Sequence, residues 1–192
     1  MRKFRTVDLT LAAMFVALMA IGANITSWAP FLQVAGVPLS MGPFFAILAG
    51  LLLGSRLGAF SLLVYTLVGA AGVPVFAKFG AGFGAVFGPT GGFILSYIAA
   101  AYAAGKIVEL KKSPGFGTFL IASLVGIVLV YFLGTNYMFF VSNGKLGYAA
   151  AWEIMTWFMV KDFVFTILGA IIAPRLYRAV SRSAAVGRKQ SA

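Results

Sequence analysis

The fold is decided by the stretch SPGFGTFLIASLVGIVLVYFLGTNYMFFVSNG, residues 113–144, which contains no charged side chain. A helix that crosses the hydrocarbon core of a bilayer needs roughly 20 predominantly apolar residues. Outward from this stretch, three more uncharged runs cover residues 9–55, 57–77 and 79–105. The four runs have room for more than four membrane-spanning helices, so the sequence predicts an all-α membrane protein.

The composition excludes most soluble and enzymatic classes. Of the 192 residues, 61% are hydrophobic and only 10% are charged, whereas about a quarter of the residues in soluble domains are charged. The absence of Cys and His removes thiol chemistry and the commonest metal ligand. The chain also lacks a Walker phosphate-binding motif, so any ATP hydrolysis must come from another chain. We expect a protein that is not an enzyme and that has no cofactor or metal of its own.

The positive charge, +11 in total, is clustered along the chain. A six-helix topology places Lys78 and Lys145 on one side of the membrane and Lys161 within a span. The other twelve basic residues then share the opposite side, in the positive-inside pattern. This predicts that both termini are cytoplasmic and that the charge marks topology rather than nucleic-acid binding. The twelve are Arg2, Lys3, Arg5, Arg56, Lys106, Lys111, Lys112, Arg175, Arg178, Arg182, Arg188 and Lys189.

We predict a single membrane domain, residues 1–192, whose first helix is retained rather than cleaved as a signal peptide. Proline and glycine interrupt the helices, and a loop at residues 28–36 is expected to close the outer side. Residues 72–92 are too rich in glycine for a regular span and are expected to fold back onto the protein, because irregular backbone at membrane depth must be buried or line a cavity. The predicted helices cover about 7–27, 39–54, 57–72, 89–105, 118–141 and 150–173, followed by a basic cytoplasmic tail, 174–192.

Asp162 lies near the middle of the sixth predicted helix, where an ionised carboxylate is costly unless it faces a partner or a polar cavity. Lys161 is adjacent but about 100° around the helix, so an ion pair within the helix is expected to have poor geometry. Asp162 could form an interhelical ion pair that fixes packing or contact a ligand, and we favour the ligand. Asn136 and Tyr137 are placed level with Asp162, either as interhelical contacts or as ligand contacts.

The segment GAGFGAVFGPTGGF, residues 80–93, is the most distinctive local pattern. Glycines at a spacing of four usually indicate close packing. Pro89, however, is suited to the start of a helix. The free N–H groups of Thr90, Gly91 and Gly92 would then bind an anion such as a carboxylate. Packing and ligand capture both remain open for this segment; its other candidate ligand contacts, together with Phe76 before it, are Gly84 and Phe93.

Ala13 and Ala17 form a small-residue stripe on the first predicted helix. Such a stripe allows another helix to approach closely, within the same chain or from another chain. On the residues alone, internal packing is favoured.

From the first predicted helix to the sixth, the chain resembles the BioY family, the biotin-binding S components of energy-coupling factor (ECF) transporters. The GPTGGF sequence that ends the glycine-rich segment is the most specific element of the resemblance. The remaining matches are Val37, Pro38, the inner turn Gly54–Gly58, Tyr65, Gly69, Gly72, Pro74 and Phe76.

The resemblance implies a six-helix S component in the plasma membrane of a prokaryote, which captures biotin near the outer face and performs no chemistry on it. It also implies two kinds of partner, a transmembrane T component and two cytoplasmic ATPases that use the ATP. Family members dock to the T component through an Ala-xxx-Ala motif on the first helix. Ala13 and Ala17 match this motif, which shifts the expectation for them from internal packing to partner docking.

The sequence departs from the family pattern where a lysine commonly follows the aspartate by three residues, since that position here is Phe165. Lys161 could supply the charge from another angle. Our hypothesis is that Asp162 and Asn136 bind the ureido ring, while the Thr90–Gly92 N–H groups or Lys161 bind the valerate carboxylate. The alternatives are an S component for another vitamin, and an assembly subunit that binds no small molecule.

Overall fold

The computed structural model describes residues 5–27, 33–34 and 37–189, and the side chains of 5–27 and 39–181. Most of the predicted closing loop, 28–36, therefore lies outside the described residues. A two-residue antiparallel pairing, β1 with β2, precedes the second helix, and a short 3-10 turn, Ala77–Phe79, follows the third. The elements are α1 Thr6–Asn24, β1 Gln33–Val34, β2 Val37–Pro38, α2 Gly42–Leu53, α3 Ser55–Ala70, α4 Phe83–Phe87, α5 Gly91–Glu109, α6 Phe116–Val141 and α7 Tyr148–Lys189.

Four of the described helices are long and apolar enough to cross a membrane: α1, α5, α6 and the part of α7 up to Ser181. Helices α2 and α3 are shorter, with 12 and 16 residues. At 1.5 Å per residue they extend about 18 and 24 Å, less than the roughly 30 Å of a hydrocarbon core. The expected all-α membrane architecture is confirmed at this level.

Helix α2 is the centre of the bundle and contacts α1, α3, α5, α6 and α7. Its residues from Ala46 to Leu52 are all buried. Small residues make this crowding possible, because they let helix backbones approach closely. A Cβ on Gly50 would collide with the backbone of Ala101 on α5, and one on Gly58 of α3 would lie 2.9 Å from the Gly50 Cα.

Two predicted helix ends were wrong. Helix α5 continues past Gly105 to Glu109. Gly105 does not end the helix but allows close packing, because its missing Cβ makes room for the Gly54–Ser55 backbone. Helix α7 continues past Ala173 and through Pro174 into the basic segment. The Pro174 carbonyl accepts a hydrogen bond from Arg178 Nε at 3.1 Å. Glycine and proline therefore did not mark the helix ends there.

The glycine-rich stretch folds back onto the end of α1, as expected. The Phe79 N–H donates to Asn24 Oδ1 at 2.7 Å, and Asn24 Nδ2 donates to the Val75 carbonyl at 3.2 Å. The same carbonyl accepts a hydrogen bond from the Tyr65 hydroxyl at 3.0 Å. These contacts hold Lys78 and Phe79 in the left-handed region, with φ of 58° and 55°, which few non-glycine residues adopt.

Candidate functional site

Asp162 is the centre of a buried polar cluster between α6 and α7. Only 3% of the residue is exposed. The Tyr131 hydroxyl donates to Asp162 Oδ2 at 2.6 Å, and Lys161 Nζ lies 2.6 Å from Asp162 Oδ1. The expectation that these neighbours would pair poorly was wrong, because the flexible four-carbon stem of lysine bridges the 100° between the two side-chain directions.

Lys161 also links α7 to the segment that leads into α2. Its ammonium donates to the Ser40 carbonyl. The Nζ atom lies 6.0 Å from the centroid of the Phe165 ring, at the outer limit of a cation–π contact. The ammonium of Lys161 is thus close to the residue that stands where the family pattern has a lysine.

Aromatic side chains surround this cluster. The Phe93 and Tyr131 rings meet edge to face with centroids 6.3 Å apart. The Phe93 ring lies over Gly134, where a Cβ would collide with it. Tyr97 is buried, and its hydroxyl lies against Gly42 at the start of α2. A Cβ added to Gly42 would be only 2.7 Å from the hydroxyl oxygen. The cluster therefore combines one cation, one carboxylate and hydroxyl groups within apolar walls, and Phe93 lies beside it.

Sequence reasoning missed Tyr131, Tyr97 and Ser40. Helical depth was the available signal for Tyr131, because α6 and α7 run antiparallel on either side of a short loop. Counting residues back from that loop places Tyr131 within about one turn of the depth of Asp162, whereas Asn136 lies about two and a half turns nearer the loop. A buried tyrosine hydroxyl in a membrane helix also needs a hydrogen-bond partner.

Asn136 and Tyr137 lie closer to the end of α6 and make other contacts. Asn136 Nδ2 donates to the Phe132 carbonyl within the helix at 2.6 Å. The Tyr137 side chain occupies the space beside Gly92, and its hydroxyl lies 3.4 Å from the Phe87 carbonyl. In the part of the chain with described side chains, no hydrogen bond joins Asn136 to Asp162.

The start of α5 differs from the predicted anion site. The Gly91 N–H donates to the Gly88 carbonyl at 2.9 Å, so the prediction that this group is free was wrong. A Cβ on Gly91 would collide with the Val86 carbonyl, and this close approach is what requires glycine. Thr90 is exposed at the helix start, and among the described residues no backbone carbonyl accepts its N–H.

Two other predicted ligand contacts lie away from the polar cluster. Phe76 is a core residue, 3% exposed, whose ring fills the space over Gly69. It meets the Tyr65 ring edge to face with centroids 5.5 Å apart. Gly84 is exposed on α4, and a Cβ there would meet nothing within 4 Å. The structure therefore does not bring Phe76 or Gly84 to Asp162.

The small-residue stripe lies on the outside of the bundle. Ala13 and Ala17 are both exposed, whereas Phe15 and Met19 on the opposite side of α1 are buried in the core. The expectation of internal packing, drawn from the residues alone, was wrong. The stripe is available to another chain.

Comparison with known proteins identifies the family. The model of the BioY family matches residues 1–182. The chain belongs to the BioY family. A Bacillus subtilis (strain 168) protein named as a candidate biotin transporter, BioYB, is 51% identical to this BioY chain over 191 residues, covering 97% of this chain and 96% of the relative. The biotin transporter BioY of Thermotoga maritima is 32% identical over 166 residues, covering 86% and 92%.

A solved structure shares the fold of this BioY chain. It is the crystal structure of the S-component for biotin from an ECF-type ABC transporter, with a TM-score of 0.77. The match covers 89% of this chain and 90% of that one at 24% sequence identity. At that identity the likeness shows the S-component fold and not the binding contacts.

Proposed function

We propose that this BioY-family chain is the substrate-binding membrane subunit of a biotin uptake transporter. Family membership and the names of its relatives support this function. The structural observation that carries it is the pair between half-buried Lys161 and buried Asp162, with aromatic side chains beside it. A charged pair inside a membrane bundle is costly unless it serves a purpose, and ligand recognition supplies that purpose.

The pair matches the ureido group of biotin, which presents a carbonyl oxygen next to two N–H groups. Lys161 offers donors, Asp162 offers acceptors, and their charged atoms lie 2.6 Å apart. Each carboxylate oxygen can accept two hydrogen bonds, so Asp162 retains acceptor capacity beyond its contacts with Lys161 and Tyr131. A single ureido group therefore satisfies both charges, while Phe93 and Tyr131 pack against the fused rings of biotin.

The valerate carboxylate requires a different contact. Its aliphatic chain separates it from the ureido ring, so Lys161 does not reach both ends of biotin while it remains paired with Asp162. We therefore assign Lys161 to the ureido carbonyl. The carboxylate points to the start of α5 near Thr90, where the helix dipole favours an anion.

We further propose that all six major helices act as membrane spans and that α4 lies at the outer surface. In this arrangement the short α2 is enclosed by α1, α3, α5, α6 and α7, while α3 presents Leu63 and Leu67 to the lipid. The clustered basic residues support a topology with both termini in the cytoplasm. The protein functions as one multi-pass domain in the plasma membrane of a prokaryote.

Transport inward requires partners, because the chain has no phosphate-binding loop of its own. We propose a transmembrane T component and two cytoplasmic ATPases. The exposed Ala13 and Ala17 face of α1 contacts the T component, since small residues permit close approach of a second helix. Docking reorients the loaded subunit and releases biotin to the cytoplasm.

Calorimetric titration of an Asp162→Asn variant with biotin tests the site. We expect biotin to bind about ten- to hundredfold more weakly, because one charged hydrogen-bond partner is lost. Glu153→Gln is the matched control, since Glu153 is an exposed carboxylate on the same helix. Thermal unfolding of both ligand-free variants monitors folding. Unchanged affinity in Asp162→Asn would remove Asp162 from the site.

The identity of the vitamin is tested separately. Native mass spectrometry of the purified protein should show biotin bound, because a high-affinity ligand survives purification. A different vitamin at that mass would favour another S component. A protein that neither carries nor binds a vitamin would favour the assembly-subunit alternative.

A further inference from the structure

A cavity of about 540 Å³ opens at the end of the bundle opposite the α6–α7 loop. It lies between the start of α1, the α2–α3 turn, the end of α5 and the α7 segment near Tyr177. Its volume falls within the range of small-molecule sites. None of the residues in the Asp162 cluster lines it, so it is separate from the proposed biotin site.

Both carboxylates that line this cavity are already engaged at helix starts. Asp8 Oδ2 accepts the Arg5 N–H at 3.1 Å. Glu109 accepts the Ser55 N–H at 2.8 Å and the Ser55 hydroxyl at 2.7 Å. Each therefore compensates the positive end of a helix dipole, of α1 and of α3 respectively. Their negative charge is largely committed to those helix ends.

The cations that line the cavity are Arg56 and Lys106. Both are exposed, and within the described side chains neither forms an ion pair. Arginine binds phosphate oxygens through two parallel hydrogen bonds. The hydroxyls of Tyr102, Tyr177 and Ser181 add further donors. This donor set fits a phosphate ester.

Apolar surface continues from each cation into the membrane-facing side of its helix. On α3, Leu63 and Leu67 lie two and three turns beyond Arg56 on the same face, and they are 42% and 58% exposed. On α5, Leu95 lies three turns before Lys106 and is 41% exposed. A free phosphate would make no use of these faces, whereas acyl chains would lie along them.

We propose that this cavity binds the headgroup of an anionic phospholipid. The phosphodiester contacts Arg56 and Lys106, and the acyl chains follow the exposed leucines of α3 and α5. The bound lipid bridges α3 and α5 at the end of the bundle where Glu109 already joins them.

The test is a titration of delipidated, detergent-purified protein followed by native mass spectrometry. The probes are dihexanoylphosphatidylglycerol, dihexanoylphosphatidylcholine and inorganic phosphate. We expect the anionic lipid to bind more tightly than the other two. Binding of the anionic lipid should weaken about thirtyfold in the double variant Arg56→Gln/Lys106→Gln, since each basic residue near an anionic lipid contributes about fivefold to the affinity. The control is Lys111→Gln/Lys112→Gln, which removes the same charge from the adjacent loop outside the cavity and should leave binding unchanged.

Three results would overturn the proposal: equal binding of the two lipids, an equal loss in the control variant, or competition by inorganic phosphate at the same concentrations. The last would assign the cavity to free phosphate instead. Biotin titration of the same samples checks the fold, because neither cation belongs to the biotin site. If the double variant does not fold, the single variants should each weaken lipid binding about fivefold, and wild-type affinity in both would refute the proposal.

Discussion

Replacing Lys161 with methionine separates the two ends of biotin that this lysine could bind. Methionine keeps an unbranched apolar stem and removes the ammonium. If Lys161 donates to the ureido carbonyl, the variant loses one charged hydrogen bond, worth about 1.5–3 kcal/mol. At about 1.4 kcal/mol per tenfold change, the Kd for biotin should rise roughly ten- to hundredfold.

The same substitution also affects the free protein. It leaves the buried carboxylate of Asp162 without its cation, at a contact of 2.6 Å, and removes the bond to the Ser40 carbonyl. Breaking a buried pair costs about 3–5 kcal/mol. Here we expect less, because the Lys161 side chain is 17% exposed and the Tyr131 bond remains. The melting temperature should fall whatever ligand is added.

Calorimetry with three ligands isolates the contact from this general loss. The binding of biotin and the binding of its methyl ester should weaken by the same factor in Lys161→Met, because both ligands contain the ureido group. 2-Iminobiotin carries a cationic guanidinium in place of the ureido, so removing Lys161 should improve its binding relative to biotin. Lys145→Met, at an exposed lysine in the α6–α7 loop, is the control.

Rescue provides the converse experiment. Phe165 lies one turn beyond Lys161 on the same face of α7, so adding Phe165→Lys to the methionine variant should restore much of the affinity. If the variant weakens biotin and leaves its methyl ester unaffected, Lys161 binds the carboxylate and our assignment is refuted. Unchanged binding of both ligands would place Lys161 outside the site.

Three further predictions concern other parts of the bundle. Tyr131→Phe should weaken biotin binding about tenfold, because it removes one hydrogen bond to a carboxylate. The control Tyr102→Phe, at an exposed tyrosine, should leave biotin binding unchanged, and calorimetry measures the Kd of both variants. Glu109→Ala should lower the free energy of unfolding by about 1 kcal/mol, measured by denaturant titration, because a helix cap is lost. The Kd for biotin, measured by calorimetry, should not change. Ala17→Trp should abolish uptake of labelled biotin by cells that express the whole transporter, while the purified subunit still binds biotin. The control Val128→Trp, on the exposed side of α6, should preserve both uptake and binding. Uptake that survives Ala17→Trp would argue against docking at this face of α1.

The all-α membrane architecture was predictable because lipid imposes a simple requirement. A continuous apolar run of about 20 residues satisfies its own backbone within a bilayer by forming a helix. The ends were harder to predict, because glycine is also the residue that allows close packing. Gly105 was taken as a terminator, although its role is to let α5 approach the Gly54–Ser55 backbone.

The buried polar cluster was predictable only where a single residue carried an energetic cost. Asp162 was identified because a buried carboxylate in a span needs partners. Its partners depend on how each helix is rotated, which one sequence does not specify. Tyr131 is 31 residues away from Asp162, and Ser40 is 121 residues away from Lys161. Within residues 80–93, Gly91 and Gly92 pack the start of α5 against the Val86 carbonyl and the Tyr137 side chain, whereas Gly84 is exposed and packs against nothing.

The short, enclosed α2 has a consequence for how the chain enters the membrane during synthesis. A helix of 12 residues is too short to be held by lipid alone as a separate span. Gly54, with φ of 84°, turns the chain directly into α3, and Gly58 packs against Gly50 across that turn. We therefore expect α2 and α3 to leave the insertion machinery together as a hairpin, with α2 facing inward as the later helices gather around it. Lengthening the turn at Gly54 should then lower the yield of inserted protein even if it leaves every ligand contact intact.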